Sequence, residues 1–203
     1  MKNNLVKRIV LVMMAMLLAC GSLVACGDNS AKNEVQLLSE DEIEGMKFKR
    51  GDLFADMSVT TPDGTTYKIS ELLKEKKAVV LNFWFINCEP CRMEFPYMQA
   101  AYEKYQDDIE ILAVNPEDGT DKSVSRYQQD NGLTFPMAVT DIKWAQHLSI
   151  NAYPTTIVID RYGIISYVHT GMITTEEEFD KLFGFFTADD YEQTVIKNIE
   201  DIK

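Results

Sequence analysis

Two rhythms alternate along most of this chain. Runs in which nearly every residue is apolar, as in strands buried on both faces, give way to stretches with the three-to-four-residue spacing of helices. Ala78 to Phe85 is one continuous apolar run and Ile109 to Asn115 is another. A helix is predicted between them, from about Cys88 to Tyr105, and Lys122 to Asp130 predicts the next. A short helical segment is expected around Trp144 to Leu148. Upstream, Thr61-Pro62-Asp63-Gly64 is turn chemistry, Thr65 to Ile69 reads as a short strand, and Ser70 is the expected N-cap of a helical turn. Downstream, Thr155 to Asp160 and Ile164 to His169 read as strands joined by Arg161-Tyr162-Gly163, with glycine where a hairpin needs positive φ. Thr175 and Glu178 form a capping box for a helix through about Phe186, whose later part Gly184 weakens. Asp189 to Ile199 predicts a final amphipathic helix. Strands alternating with helices imply parallel crossovers, and a closing hairpin adds antiparallel pairing. The expected class is therefore α/β, with a mixed central sheet and flanking helices.

The start of the chain follows a different pattern. Lys2, Lys7 and Arg8 precede an apolar run from Ile9 to about Ala25, which is the layout of an export signal. The run is at or just below bilayer-spanning length, so an uncleaved anchor stays open as an alternative. Leu23-Val24-Ala25-Cys26 resembles a bacterial lipobox, in which the cysteine is lipidated and becomes the mature N-terminus. Leu17-Leu18-Ala19-Cys20 is a second candidate with a shorter apolar core. Gly27 to about Gly45 is polar and short of aromatics, and predicts a flexible tether. The expected organisation is a signal over 1–25, a tether over 26–47, a folded domain over 48–187 and a C-terminal helix over 188–203. That domain would sit on the extracytoplasmic face of the cell membrane, held by lipid on Cys26. A basic start ahead of an acidic body agrees with the positive-inside rule.

Composition narrows the function classes. A chain of 203 residues with 46% hydrophobic content can bury one core and leaves room for little more than short extensions. The formal charge of −12 speaks against nucleic acid, which needs a basic face. Four cysteines are too few to scaffold a chain this long.

The chemistry concentrates in Leu81-Asn82-Phe83-Trp84-Phe85-Ile86-Asn87-Cys88-Glu89-Pro90-Cys91. A buried strand delivers two cysteines, three apart, to the first turn of a helix. The unpaired N–H groups and dipole there favour an anion and should lower the first thiol's pKa. That sulfur is expected to face solvent, with Cys91 one turn in and close enough to close a disulfide. Pro90 costs no hydrogen bond in the first turn and stiffens the pair. A zinc site needs four ligands, yet Cys20 and Cys26 lie in the export signal and His147 and His169 are isolated, so no metal or other cofactor is expected.

These residues resemble the TlpA/ResA-like branch of the thioredoxin superfamily, exported and membrane-attached thiol–disulfide oxidoreductases. The resemblance rests on Asn82-Phe83-Trp84, Cys88-Glu89-Pro90-Cys91, Glu94-Phe95-Pro96, Val114-Asn115, Thr134-Phe135-Pro136 and Tyr153-Pro154-Thr155, in family order over about residues 48–186. It implies a thioredoxin fold with an N-terminal strand addition, and a Tyr153–Pro154 bond that is cis and faces the cysteines. It implies a carboxylate, Glu94, beside the buried cysteine, able to take the proton of Cys91. Tyr153, Pro154, Trp84, Glu89 and Pro90 are the expected substrate-binding residues. The chain departs from the family at Asn87, where most members carry tryptophan. The implied activity is reduction of exported protein disulfides, of the kind needed in cytochrome c maturation or by a repair enzyme, by a monomer. Electrons would come from a membrane thiol transporter of the CcdA/DsbD kind. An oxidase running the same pair in reverse, or a non-catalytic binding lipoprotein, are the competing readings. A peroxiredoxin-type peroxidase is disfavoured because its Thr-x-x-Cys context is absent.

Overall fold

A computed structural model describes residues 35–39 and 41–192. Its centre is a five-stranded sheet in the order β5-β4-β3-β6-β7. β3 (Ala78–Phe83) and β4 (Ile109–Asn115) run parallel, as do β4 and the short β5 (Met137–Val139). β6 (Thr155–Asp160) pairs antiparallel with β3, and β7 (Ile165–Thr170) closes the hairpin on β6. The mixed sheet expected from the sequence is therefore present, on a thioredoxin fold. Ahead of it, β1 (Ser58–Thr60) and β2 (Thr66–Lys68) form a separate two-stranded hairpin around the Thr61–Gly64 turn.

β3 and β4 are buried along their whole lengths because both faces of the sheet are covered. Alternation sorts the side chains between two cores. Ala78, Val80 and Trp84 of the β3 chain join the cluster under helices α2 (Glu89–Tyr105) and α5 (Glu176–Thr187), with Phe95, Met98, Phe179 and Phe183. Val79, Leu81 and Phe83 face the opposite cluster with Phe54, Met57, Ile69 and Trp144, the last carried by α4 (Ile142–His147). The remaining helices are α1 (Ile69–Leu72) and α3 (Asp121–Asp130). Gly184 lies inside α5 without ending it. A Cβ there would come within 3.2 Å of the Tyr105 hydroxyl, so its smallness serves the packing of α5 on α2.

Two expectations need correction, and two short strands carried no expectation at all. The helical turn expected to open at Ser70 begins at Ile69, with Lys68 as an N-cap lacking a side-chain bond. Ser70 instead gives its N–H and hydroxyl to the two Asp56 oxygens, at 3.0 and 2.9 Å, a long-range partner that outcompetes local capping. The strands at Ser58–Thr60 and Met137–Val139, three residues each, are too short to carry a legible alternation. Finally, the described part of the expected tether is docked rather than free. Leu38 bridges to Ala55 and Ile43 is buried in the second core, next to Phe48 at the start of the expected domain, whose N–H donates to the His147 carbonyl at 2.8 Å.

Residues 35–38 reach Gly163, the turn glycine between β6 and β7. Its φ is +78°, and a Cβ there would fall 2.4 Å from Leu37 and 2.8 Å from Val35. We expect Gly163→Ala to cost about 2 kcal/mol, from left-handed strain and displacement of those side chains. Urea unfolding measures this; an unchanged midpoint would mean that the 35–38 segment does not pack here.

At the other end, the hydroxyl of buried Tyr191 donates to Asp160 Oδ2 at 2.8 Å, and its ring packs on Phe186. The rest of the expected C-terminal helix lies outside the described residues, as do the export signal and both lipidation candidates, Cys20 and Cys26. Among the described residues, no helix is long and apolar enough to cross a membrane.

Candidate active site

β3 ends at Phe83, and four residues carry the chain to Cys88, which caps α2. Its sulfur accepts a bond from the Cys91 N–H at 3.2 Å, the position a serine or aspartate hydroxyl or carboxylate would take in an ordinary N-cap. Pro90 sits in the first turn, where no amide hydrogen is needed. One turn therefore brings the two cysteines together, and they are joined as a Cys88–Cys91 disulfide with Cα atoms 5.3 Å apart. Glu89 and Pro90 between them are exposed.

Glu94 lies one turn further along α2, on the same face as Cys91, and is completely buried. Its two oxygens are held from opposite directions. The Asn82 side chain of β3 donates to Oε1 at 2.8 Å, and the Ile173 N–H, ahead of α5, donates to Oε2 at 2.7 Å. Asn82 also donates to Thr156 Oγ1 of β6 at 3.1 Å. No charged group pairs with the carboxyl in this network. Burial therefore pushes its pKa up from 4.5 to about 7, against the downward pull of the Ile173 and Asn82 bonds. The side-chain oxygen of Asn82 has no partner, so this amide can turn to accept a proton from a neutral Glu94.

The loop after β4 holds both the segment that leads to Cys88 and the loop ahead of β6. The Asn115 side-chain oxygen gathers the N–H groups of Glu117, Asp118 and Gly119 at 3.0 to 3.2 Å. This turn needs Gly119, since a Cβ there would lie 2.8 Å from Asn115 Cγ. Asp118 then accepts from the Ile86 N–H at 2.8 Å, the Asn87 N–H at 3.4 Å and the Asn87 side chain at 3.1 Å. Burial opposes ionisation of Asp118, but the bonds from Ile86, Asn115 and Asn87 together outweigh it and hold the carboxyl below its usual range. Glu117 accepts from the Tyr153 hydroxyl at 2.7 Å.

The Tyr153–Pro154 bond is cis. Thr155 pairs with Phe83 across the sheet, so this loop lies against the segment leading to Cys88. The Tyr153 ring packs edge-on against Phe85 at 5.4 Å.

Of the residues expected from the sequence, Cys88 and Cys91 are joined with Pro90 between them, Glu94 follows one turn along α2, and the cis Tyr153–Pro154 pair lies on the loop that packs against Phe85. Two placements differ from expectation. Trp84 cannot contact a substrate in this state: it is fully buried, wedged against Phe95 and Tyr127 at 5.2 and 5.1 Å, because strand alternation turns it under α2. Cys88, expected to face solvent, is only 3% exposed while bonded to Cys91. Asn82 entered the sequence reading only as part of a motif, without a role at the site, and Asp118 did not enter it. An asparagine inside an apolar strand was a signal for the first, since a buried amide must find partners. For the second the signal was topological: loops at the carboxyl ends of neighbouring parallel strands meet. Among the described residues, no group of three or more His, Cys, Asp or Glu is arranged to hold a metal ion.

Comparison with known proteins agrees with this geometry. The AhpC/TSA family profile matches residues 50–168. The thioredoxin-like protein YneN of Bacillus subtilis (strain 168) is 30% identical over 152 residues, covering 74% of this chain and 86% of its own length. The thiol-disulfide oxidoreductase ResA of Halalkalibacterium halodurans is 37% identical over 124 residues, 59% of this chain and 69% of its own. A solved thiol:disulfide interchange protein of the thioredoxin family from Chlorobium tepidum TLS superposes with a TM-score of 0.59 at 25% identity, covering 70% of this chain and 99% of that one. With a Cys-x-x-Cys disulfide capping the helix after its central strand, and a family match over more than half its length, the chain belongs to the AhpC/TSA family, among thioredoxin-like relatives that include the ResA thiol-disulfide oxidoreductases.

Proposed function

We propose that this protein is a thiol–disulfide oxidoreductase that reduces disulfides of exported proteins. The observation that carries the reading is a disulfide across the first turn of α2, with a buried carboxyl of raised pKa one turn behind it. In the reduced enzyme, the Cys88 thiolate attacks one sulfur of a substrate disulfide. The substrate S–S bond breaks, a Cys88–substrate bond forms, and the released sulfur takes a proton. Cys91 then gives its proton to Glu94 and attacks the Cys88 sulfur; the Cys88–Cys91 bond forms, the Cys88–substrate bond breaks, and the second substrate sulfur leaves as a thiolate that takes up a proton as Glu94 releases its own. The enzyme is left as the Cys88–Cys91 disulfide, two electrons and two protons having passed to the substrate. Tyr153, Pro154, Glu89 and Pro90 border this approach, with main-chain groups at residue 153 available to an extended peptide.

The cycle needs a dithiol donor to restore the pair, and a membrane transporter of the CcdA/DsbD kind is the fitting class. The basic and apolar start of the chain, with Cys26 in a lipobox-like setting, supports lipid anchoring on the extracytoplasmic face. The names of the ResA relatives support disulfide chemistry; the reducing direction rests on the resemblance to exported reductases, and the Glu89 and Asp118 carboxyls at the start of α2 are in keeping with it. Equilibration of the full chain with glutathione mixtures tests the direction. A potential well below that of glutaredoxins, roughly −200 to −230 mV, is expected; one near DsbA, roughly −120 mV, would make the protein an oxidase instead.

A further inference from the structure

We propose that Asp118 is a positioning residue for Cys88, acting through Asn87: it clamps the approach to the cysteine and sets a negative charge against the start of α2. The inference rests on the reading of Cys88–Cys91 as a redox pair, and adds a residue that controls its potential.

Asn87 precedes Cys88 at the position where the resembled family usually carries tryptophan. Its side chain is not idle: it donates to Asp118, and so do its own N–H and that of Ile86. Three donors from two consecutive residues thus converge on one carboxylate just before the N-cap. Asp118 is held in turn by the Asn115 side chain at 3.2 Å, and Asn115 is fixed by the strand end of β4 and by three loop N–H groups. The clamp therefore ties the carboxyl ends of the two central parallel strands together at the point where the reactive sulfur emerges.

Its electrostatic consequence has a definite sign. A helix N-terminus stabilises a thiolate, which favours the dithiol and makes a pair oxidising, as in DsbA. A carboxylate at the same end opposes the thiolate, disfavours the dithiol and makes the pair a better reductant. Among the described residues, the titratable or charged groups on the elements that meet at the start of α2 include Glu89 on α2, Glu117 and Asp118 on the loop after β4, Tyr153 on the loop before β6, Glu94 one turn past Cys91, and Arg92, which lies over the Tyr127 ring at 5.9 Å. Among them, Asp118 alone receives hydrogen bonds from the residues immediately before Cys88.

The test uses the full chain as wild type, Asp118→Asn, Asn87→Ala, the double variant, and Glu75→Gln. Glu75 is exposed ahead of the opposite end of β3 and controls for net charge alone. Each is equilibrated with defined glutathione ratios, and the reduced form is alkylated across a pH series. Asp118→Asn is expected to move the equilibrium three- to tenfold toward the dithiol, tenfold being about 30 mV for a two-electron couple, and to lower the alkylation midpoint. Asn87→Ala should move both the same way by less, with little further effect once Asp118→Asn is present, while Glu75→Gln leaves both unchanged. The proposal is overturned if Asp118→Asn superimposes on wild type, if Glu75→Gln shifts as much, or if the Asn87 and Asp118 effects simply add. A wild-type chain that does not exchange with glutathione at all would instead remove the redox reading itself.

Discussion

Cys88→Ser is expected to abolish reduction of insulin by the full chain, leaving only the background rate of the added dithiol. Serine is a favourable N-cap, and its oxygen can accept the Cys91 N–H bond that the sulfur now accepts, so α2 should still begin at the same place. What goes is the nucleophile and the cross-link. A loop this short constrains the unfolded chain modestly, and its removal costs about 2 kcal/mol on the chain-entropy account. Cys91→Ser should behave differently: Cys88 still attacks, but nothing displaces the product, and the substrate accumulates as a mixed disulfide visible on a non-reducing gel. Retained turnover in Cys88→Ser, or no trapped adduct in Cys91→Ser, would end the assignment of these roles.

The second large effect concerns Glu94. Its pKa is higher in the folded chain than in the unfolded one, so the folded state binds this proton more tightly. The stabilisation is complete below pH 4.5 and is lost as pH rises through about 7, because a bare carboxylate is then enclosed with only two donors. A shift from 4.5 to about 7 corresponds to up to about 3 kcal/mol. Glu94→Gln should remove that slope. The unpartnered Asn82 oxygen can accept from the new amide, so the substitution should be accommodated, and above pH 7 the variant should be the more stable protein. Denaturant midpoints from pH 5 to pH 8 give the answer; parallel profiles for wild type and variant would refute it. On activity, loss of the proton acceptor should slow resolution of the mixed disulfide by on the order of 10². Capture of the first cysteine by substrate should be little affected.

These expectations differ in how much of their basis the sequence displayed. Cys88, Pro90 and Cys91 were legible because a disulfide across one helical turn needs only local spacing and a strand-to-helix junction. Pro154 was legible through its motif. The spacing put Glu94 on the face of Cys91, yet its burial depends on Asn82, twelve residues earlier, and on an N–H seventy-nine residues later. Asp118 carried no signal of its own. An Asn-Pro-Glu-Asp-Gly run after a strand reads as an ordinary turn until the neighbouring strand's loop is placed beside it. Trp84 was misjudged because adjacency to the cysteines in sequence says nothing about which face of the sheet it takes.

What the chain determined alone was the longer strands and helices, the class of the fold and the identity of the two sulfurs, since periodicity, turn residues and a three-residue spacing act over one element or its boundary, whereas the three-residue strands at Ser58–Thr60 and Met137–Val139 exist only through their pairing. What the tertiary structure decided was the environment of those sulfurs: a carboxyl buried without a counter-charge, a second carboxylate clamping the approach, and a tether segment packed against a turn. Burial and hydrogen bonding between distant segments set proton affinities, and neither exists until the sheet has brought those segments together.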